Sequence, residues 1–249
     1  MKISATIITL NEERNIARCI DSLVKVADEI LVMDSGSTDR TKEICMEKGV
    51  SFFHQPWQGY AQQKNSLNQK ATYEMILSID ADEEVSPELA EEIRRIKENY
   101  DQGVFALNRL TNYCGTWIYH SGWYPDRKVR LFPKSILWHG DLVHETLNLC
   151  PDTNITILKG PLFHYSYYSH DQHRKRADHY SSLTAQKYVQ EGRGVFLGQA
   201  MLSACIRFLS MYIMKLGFLD GKQGFHIARI SAASNYFKYK EVQRLKRGN

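Results

Sequence analysis

Apolar runs and amphipathic stretches alternate through the first hundred residues. Residues 3–9, 29–33, 50–54 and 75–79 are short runs rich in Ile, Val, Leu, Met and Phe, the pattern of buried strands. Between them apolar residues recur at helical spacing. Ile16, Ile20, Leu23 and Val24 follow Asn11, Glu12 and Glu13, which predict an N-cap and an acidic first turn. A second helix is predicted from about residue 38 to Gly49, a natural C′ residue, and a third over about 59–71. Ser86-Pro87 predicts a cap and first position for a fourth, with Leu89, Ile93 and Ile96 as its buried stripe. Strands separated by helices of this length imply right-handed crossovers. The fold class is therefore α/β, a mostly parallel sheet flanked by helices. Ligands on such sheets bind beyond the carboxyl ends of the strands. Three polar clusters, 9–12, 34–39 and 80–84, end strands there and are predicted to converge.

Residues 104–165 break this rhythm. Strand-like pieces at 104–109 and 129–132 lie among many aromatics, Trp117, Tyr119, Trp123, Tyr124 and Trp138 included. They predict an insertion over the sheet edge. From about residue 170 the pattern turns helical, in segments near 171–191, 195–216 and 226–246. The division expected is a 1–169 α/β domain, with halves at about 1–100 and 101–169, followed by a helical extension over 170–249.

Charge separates the same regions. The 249 residues sum to +4, yet residues 170–249 carry 14 Lys and Arg against 5 Asp and Glu, while 1–169 carry 18 against 23. The acidic part is expected to hold the chemistry and the basic part to face something anionic. An apolar segment at 195–216 beside a basic tail at 238–247 fits an anionic membrane surface, a buried helix or a dimer contact. No nucleic-acid-binding signature is present. Five scattered cysteines without a CxxC pair argue against a disulfide framework or a structural zinc site and fit a reducing, cytosolic compartment. The opening residues read as a strand rather than a signal peptide, and no stretch has the ~20 apolar residues of a membrane span.

Asp80-Ala81-Asp82 follows the fourth apolar run directly. Side chains two apart in extended backbone point the same way, so the pair offers hard oxygen ligands suited to Mg²⁺ or Mn²⁺. An acid-rich helix start is the bland alternative. Asp34-Ser35-Gly36-Ser37 ends the second run and serves either a ligand or its own turn. No GxGxxG follows the first strand, which sets a dinucleotide fold aside.

Taken in order, TIITLNEERN (6–15), EILVMDSGSTDRT (29–41), GYAQQKNSL (59–67), LSIDADEEVSPEL (77–89), GWYPDRKVRLF (122–132), HGDLVHETL (139–147) and HYSYYS (164–169) resemble the inverting family 2 glycosyltransferases of GT-A fold. Among these they are similar to bacterial lipopolysaccharide core β-1,4-glucosyltransferases. The resemblance covers about residues 1–170. It implies a nucleotide-sugar half, an acceptor half, and a metal-dependent transfer of a hexose, possibly from UDP-glucose, to a lipid-linked saccharide at the inner face of the cytoplasmic membrane. Thr9, Asn11 and Glu12 would line the nucleotide pocket. Asp34 and Ser35 would lie near uracil or ribose, with Ser35 standing where many members have a second Asp. Gln63, Lys64 and Asn65 would approach the diphosphate or donor sugar. Asp80 and Asp82 would hold the divalent cation and phosphates. Glu145 would be the base, with Asp141 in reserve and Asp126 a weaker candidate. His164 is either a late metal ligand or a half-buried histidine among aromatics. Arg127 and Arg130 would pair with phosphates or an anionic acceptor, or form a solvated strand face. The aromatics of the insertion would stack on sugar rings or pack its own core. A nucleotidyltransferase and a non-catalytic saccharide or nucleotide-sugar binder are the rival readings. The first lacks the Gly- and basic-rich loop a triphosphate needs.

Overall fold

The four apolar runs form the parallel half of one large sheet in this computed structural model, which describes residues 1–100, 102–140, 145–196 and 198–247. They are β1 (Ile3–Thr9), β2 (Glu29–Asp34), β3 (Ser51–His54) and β4 (Met75–Asp80), crossed by α1 (Ile16–Leu23), α2 (Thr41–Glu47) and α3 (Tyr60–Lys70). After β4 come β5 (Glu83–Val85), α4 (Pro87–Asn99), β6 (Val104–Tyr113), β7 (Thr116–Ile118), β8 (Asp126–Pro133), the short β9 (Trp138–His139) and β10 (Thr146–Leu147), and β11 (Ile155–Tyr167). The chain ends in α5 (His170–Gln190), α6 (Gln199–Leu209) and α7 (Gly221–Arg247). The sheet order is β3-β2-β1-β4-β8-β6-β11-β5, with β7 on β6. β1 pairs parallel with β2 and β4, and β2 with β3. The insertion strands join antiparallel, β8 on β4 and on β6.

Both faces of the parallel half are covered, which is why its strands are apolar at nearly every position. Ile3, Ala5, Ile7 and Val32 pack with Ile16, Ile20 and Leu23 of α1 and Leu89 and Ile93 of α4. Leu31, Met33 and Ile76 pack on the other face with Leu67 of α3, Phe132 and Trp138. The α4 stripe is buried as expected. Ser86 caps this helix by accepting from the Leu89 amide at 3.1 Å, with Pro87 at its first position.

The sequence misplaces the start of α1. Asn11 is not the cap of α1, which starts at Ile16 without a side-chain cap. Asn11 adopts φ +56°, and its amide oxygen accepts from the Thr38 N–H at 2.8 Å. Its own N–H donates to Ser37 Oγ, and those of Glu12 and Glu13 to Thr41 Oγ1 and Asp39 Oδ2. Polar residues that imitate a helix start instead tie the β1–α1 loop to the β2–α2 loop.

The chain packs as two compact units: Met1–Arg109 with Asp126–His164, and Leu110–Pro125 with Tyr165–Asn249. In the second unit Tyr113 and Ile118 are buried with Met211, Ile227 and Ala228. The helix expected at 195–216 begins at Gln199 and ends in a π-helical turn, Ser210–Met214. A 3-10 turn, Gly217–Asp220, then leads into α7, which starts earlier than expected. The bend is tight: a Cβ on Gly224 would lie 1.8 Å from the Gly217 carbonyl oxygen. Leu216 takes φ +53° there.

Candidate active site

Register alone brings the three clusters together. Thr9 sits opposite Asp34, and Ile8 opposite Asp80, so the ends of β1, β2 and β4 form one edge. There the Asp80 carboxylate is gripped from two sides. Lys64 Nζ lies 3.2 Å from Oδ1, and Arg130 Nη2 holds Oδ2. Burial alone would raise the Asp80 carboxyl. Arg130, then Lys64, reverse that and hold it well below the usual carboxylate range. Arg130 also reaches Glu83 Oε1 at 2.8 Å, and Glu83 Oε2 accepts from the Asp80 N–H at 2.9 Å. Burial pushes the Arg130 guanidinium down, but Asp80 and Glu83 more than restore it.

Local irregularity aims Arg130. Phe105 pairs with Leu131 and Ala106 with Val129, so Arg130 is the extra residue of a β-bulge, a device that redirects a side chain. Arg127, on the same strand, is exposed and does not join the cluster.

Lys64 comes from α3 and is 3% exposed. Its neighbours are anchored elsewhere. Gln63 donates to Ser35 Oγ and the Gln55 carbonyl, and Asn65 exchanges two hydrogen bonds with the Trp138 backbone. With these fixed, the Lys64 ammonium rests 4.5 Å from the centroid of the Trp138 ring and 3.1 Å from Glu145 Oε1. One buried cation thus contacts both Asp80 and Glu145. A cavity of about 520 Å³ opens against Asn65, Trp138, Gly59 and Gly140, within the range of small-molecule sites.

Asp82 lies beyond the strand end, in the turn before β5. β5 pairs antiparallel with β11, His164 opposite Glu83, and this register sets His164 Nε2 3.2 Å from Asp82 Oδ2. The two donors fit a divalent cation. Mg²⁺ in particular is commonly held by one or two protein carboxylates with substrate phosphates and water completing the shell. Among the described residues no three His, Cys, Asp or Glu side chains form a closed cage.

The other candidates divide. Asp34 Oδ2 accepts from the Gly36 and Ser37 N–H groups, at 2.8 and 2.9 Å, so its carboxylate shapes its own turn. The buried Thr9 hydroxyl has no hydrogen-bond partner, and an orphaned buried donor points to a missing ligand or water. Glu12 is half-buried and accepts from Asn15 Nδ2. Asp126 is clamped by Arg109 at 2.6 Å and Lys128 at 3.2 Å, an arrangement that disfavours it as a base. Asp141 lies outside the described residues. Sequence reasoning missed Glu83 and Arg109. Glu83 is 1% exposed, and its carboxylate is held by Arg130 and, at 3.5 Å, Arg109. The available signal was an arginine beside apolar residues in each of two strand-like pieces, 104–109 and 129–132, because buried charges come in pairs.

The model of glycosyl transferase family 2 matches residues 4–173. The chain is 30% identical to an uncharacterized glycosyltransferase of Rickettsia typhi, over 98% of this chain and 87% of that one. It is 28% identical to the lipopolysaccharide core biosynthesis glycosyltransferase LpsC of Rhizobium meliloti, over 96% and 93%. Among solved structures it is similar to S. aureus TarS 1-349 in complex with UDP-GlcNAc, with 15% identity, 100% of this chain and 93% of that one covered, and a TM-score of 0.47. It spans 55% of a longer S. aureus TarS chain. The register that gathers the acidic cluster at one sheet edge and the match over two-thirds of the sequence agree: the chain belongs to glycosyl transferase family 2.

Proposed function

We propose that this glycosyltransferase moves a hexose from a UDP-sugar, UDP-glucose being the first candidate, to a hydroxyl of a lipid-linked saccharide such as lipopolysaccharide core. The transfer inverts the anomeric centre and depends on Mg²⁺ or Mn²⁺. The observation that carries this reading is Lys64, whose single ammonium contacts both Asp80 and Glu145. A donor clamp and a proton acceptor joined this closely suit a single displacement. The acceptor oxygen attacks the anomeric carbon, Glu145 takes its proton, and the bond to the diphosphate breaks with its electron pair leaving on UDP.

Asp82 and His164 are the metal ligands in this reading. Asp80 would complete the protein's share of the ligand set, and Lys64 and Arg130, which now hold its carboxylate, would offer their charge to the diphosphate. When bound, the cation neutralises charge on the leaving diphosphate. Thr9, Asn11, Glu12, Asp34 and Ser35 border the nucleotide, Gln63 and Asn65 hold Lys64 in place, and Arg127 offers a charge to an anionic acceptor. Asp141 is the second choice for the base. The acceptor assignment is supported by similarity to LpsC across nearly the whole chain and by the excess of basic residues after residue 170. It puts the enzyme on the inner face of the cytoplasmic membrane.

A panel of UDP-sugars with Mg²⁺ or Mn²⁺, read by thermal shift and by hydrolysis, tests the donor half. A ligand at a hundred times its Kd adds about 2.7 kcal/mol of stability. Asp82→Ala is expected to lose metal-dependent UDP-sugar binding, and unchanged affinity with Mn²⁺ present rejects the clamp. Glu145→Gln is expected to keep the donor-induced shift and lose transfer. Full transfer by that variant moves the base to Asp141.

A further inference from the structure

Among the described residues no single helix is long and apolar enough to cross a membrane. Yet α6 and the π turn after it present an apolar stripe outward. Leu202, Ile206, Leu209 and Ile213 recur at the spacing of one helix face and are between 49% and 57% exposed, with Met214 at 79% and Leu219 at 58%. The opposite side is spent on the second unit, where Ala200 and Met211 are buried. Among the described residues this apolar face looks away from the core of its own unit, and exposed apolar side chains in one stripe mark an interaction surface.

The charge pattern selects the partner. Residues 192–219 contain Arg193, Arg207 and Lys215 and no Asp or Glu. Arg207 and Lys215 are exposed. The next acid, Asp220, has a side chain only 3% exposed. It is enclosed by the Tyr119 and His120 N–H groups and by His120 Nδ1 at 2.9 Å. The surface is thus apolar, fringed with cations and cleared of anions. A second copy of the chain would set these cations against their like, whereas an anionic bilayer matches both properties.

We propose that α6 lies in the plane of an anionic lipid surface with Leu202, Ile206, Leu209 and Ile213 toward the acyl chains. In this arrangement the bend after Met214, where the two helical stretches meet at 73°, is the most deeply inserted point. The proposal rests on the membrane location given under the proposed function and assigns the contact to α6. The basic tail is a weaker anchor because part of its charge is engaged: Arg244 pairs with Glu241 at 2.6 Å and Lys246 donates to the Arg193 carbonyl.

Full-length protein is mixed with vesicles of phosphatidylethanolamine containing about a third phosphatidylglycerol, and partitioning is measured by sedimentation. Ile206→Gln/Ile213→Gln is expected to weaken partitioning at least about tenfold. Its melting temperature and its hydrolysis of UDP-sugar are expected to stay unchanged, since both positions are exposed. Partitioning equal to wild type overturns the assignment to α6. If Lys240→Gln/Arg244→Gln/Lys246→Gln alone then detaches the protein, the membrane reading survives with the tail as its contact. No partitioning by the wild type overturns both, while UDP-sugar hydrolysis remains a separate check on the transferase reading. A wild-type dimer that the Ile206/Ile213 variant splits, with partitioning unchanged, overturns the proposal in favour of a second copy.

Discussion

Lys64, Glu83 and Arg130 are charges held inside a protein, and each is tolerable only because another charge answers it. Removing one partner of a buried pair leaves the other uncompensated, at a cost of about 3–5 kcal/mol. Arg130→Met takes from Asp80 and Glu83 the cation they share, leaving the buried Glu83 with only Arg109 at 3.5 Å, and is expected to cost about 3 kcal/mol in urea unfolding. Lys64→Met is expected to cost less, since Asp80 keeps Arg130 and the Glu145 side chain is 21% exposed, while transfer activity falls sharply. Equal losses of stability would show that Lys64 is chiefly structural. A second residue-scale test concerns His173. Burial, then His170 and Arg176, lowers this imidazole to about 4, and Tyr113 Oη lies 2.9 Å from its Nδ1. A depressed folded value means stability that is full above the unfolded value near 6.5 and is lost as pH falls toward 4. Unfolding near pH 5.5 is therefore expected to take up about one proton more in wild type than in His173→Gln, measured by calorimetry in buffers of different ionisation enthalpy. Asp80, depressed by Arg130 and Lys64 against the pull of burial, adds a second loss confined to more acid conditions, below about pH 4.

Elements were legible where one periodicity ruled. β1 ends where its apolar run ends, β4 one residue beyond its own, and Ser86-Pro87 marks α4 to the residue. The convergence of the 9–12, 34–39 and 80–84 clusters followed from topology, and the observed register delivers it. What the pattern could not carry was any pairing between distant segments. The bulge at Arg130 depends on β6, and the place of His164 depends on β11 meeting β5, neither of which leaves a local trace. Asn11 misled because loop-tying polar residues look like caps. Gly160 is a sharp probe of the β11 position. A Cβ there would meet the Leu89 backbone N and Cα at 2.4 and 2.5 Å, and its N–H and that of Lys159 already donate to Glu92 of α4. Gly160→Ala is expected to push β11 off α4, costing about 1–3 kcal/mol or more. Because β11 carries His164, metal-dependent donor binding is expected to weaken with it. Donor affinity unchanged in a destabilised variant would separate β11 from the metal site.

The whole molecule was the least legible scale. A cut near residue 169 is natural in composition, yet 110–125 pack with the C-terminal helices. Tyr113 and Ile118 find their partners in Met211, Ile227 and Ala228, roughly a hundred residues later. A protein ending at residue 169 is thus expected to expose this pair and to aggregate or bind a hydrophobic dye, whereas a soluble, cooperatively melting fragment would contradict the discontinuous unit. Two of the crossings between units fall inside strands, β6 at Arg109/Leu110 and β11 at His164/Tyr165. The same discontinuity imposes a timetable on synthesis. At ~5–20 residues per second, the aromatic and aliphatic side chains of 110–125 emerge about 5–20 s before α7 does, so the growing chain carries a sticky segment that waits for a helix not yet made.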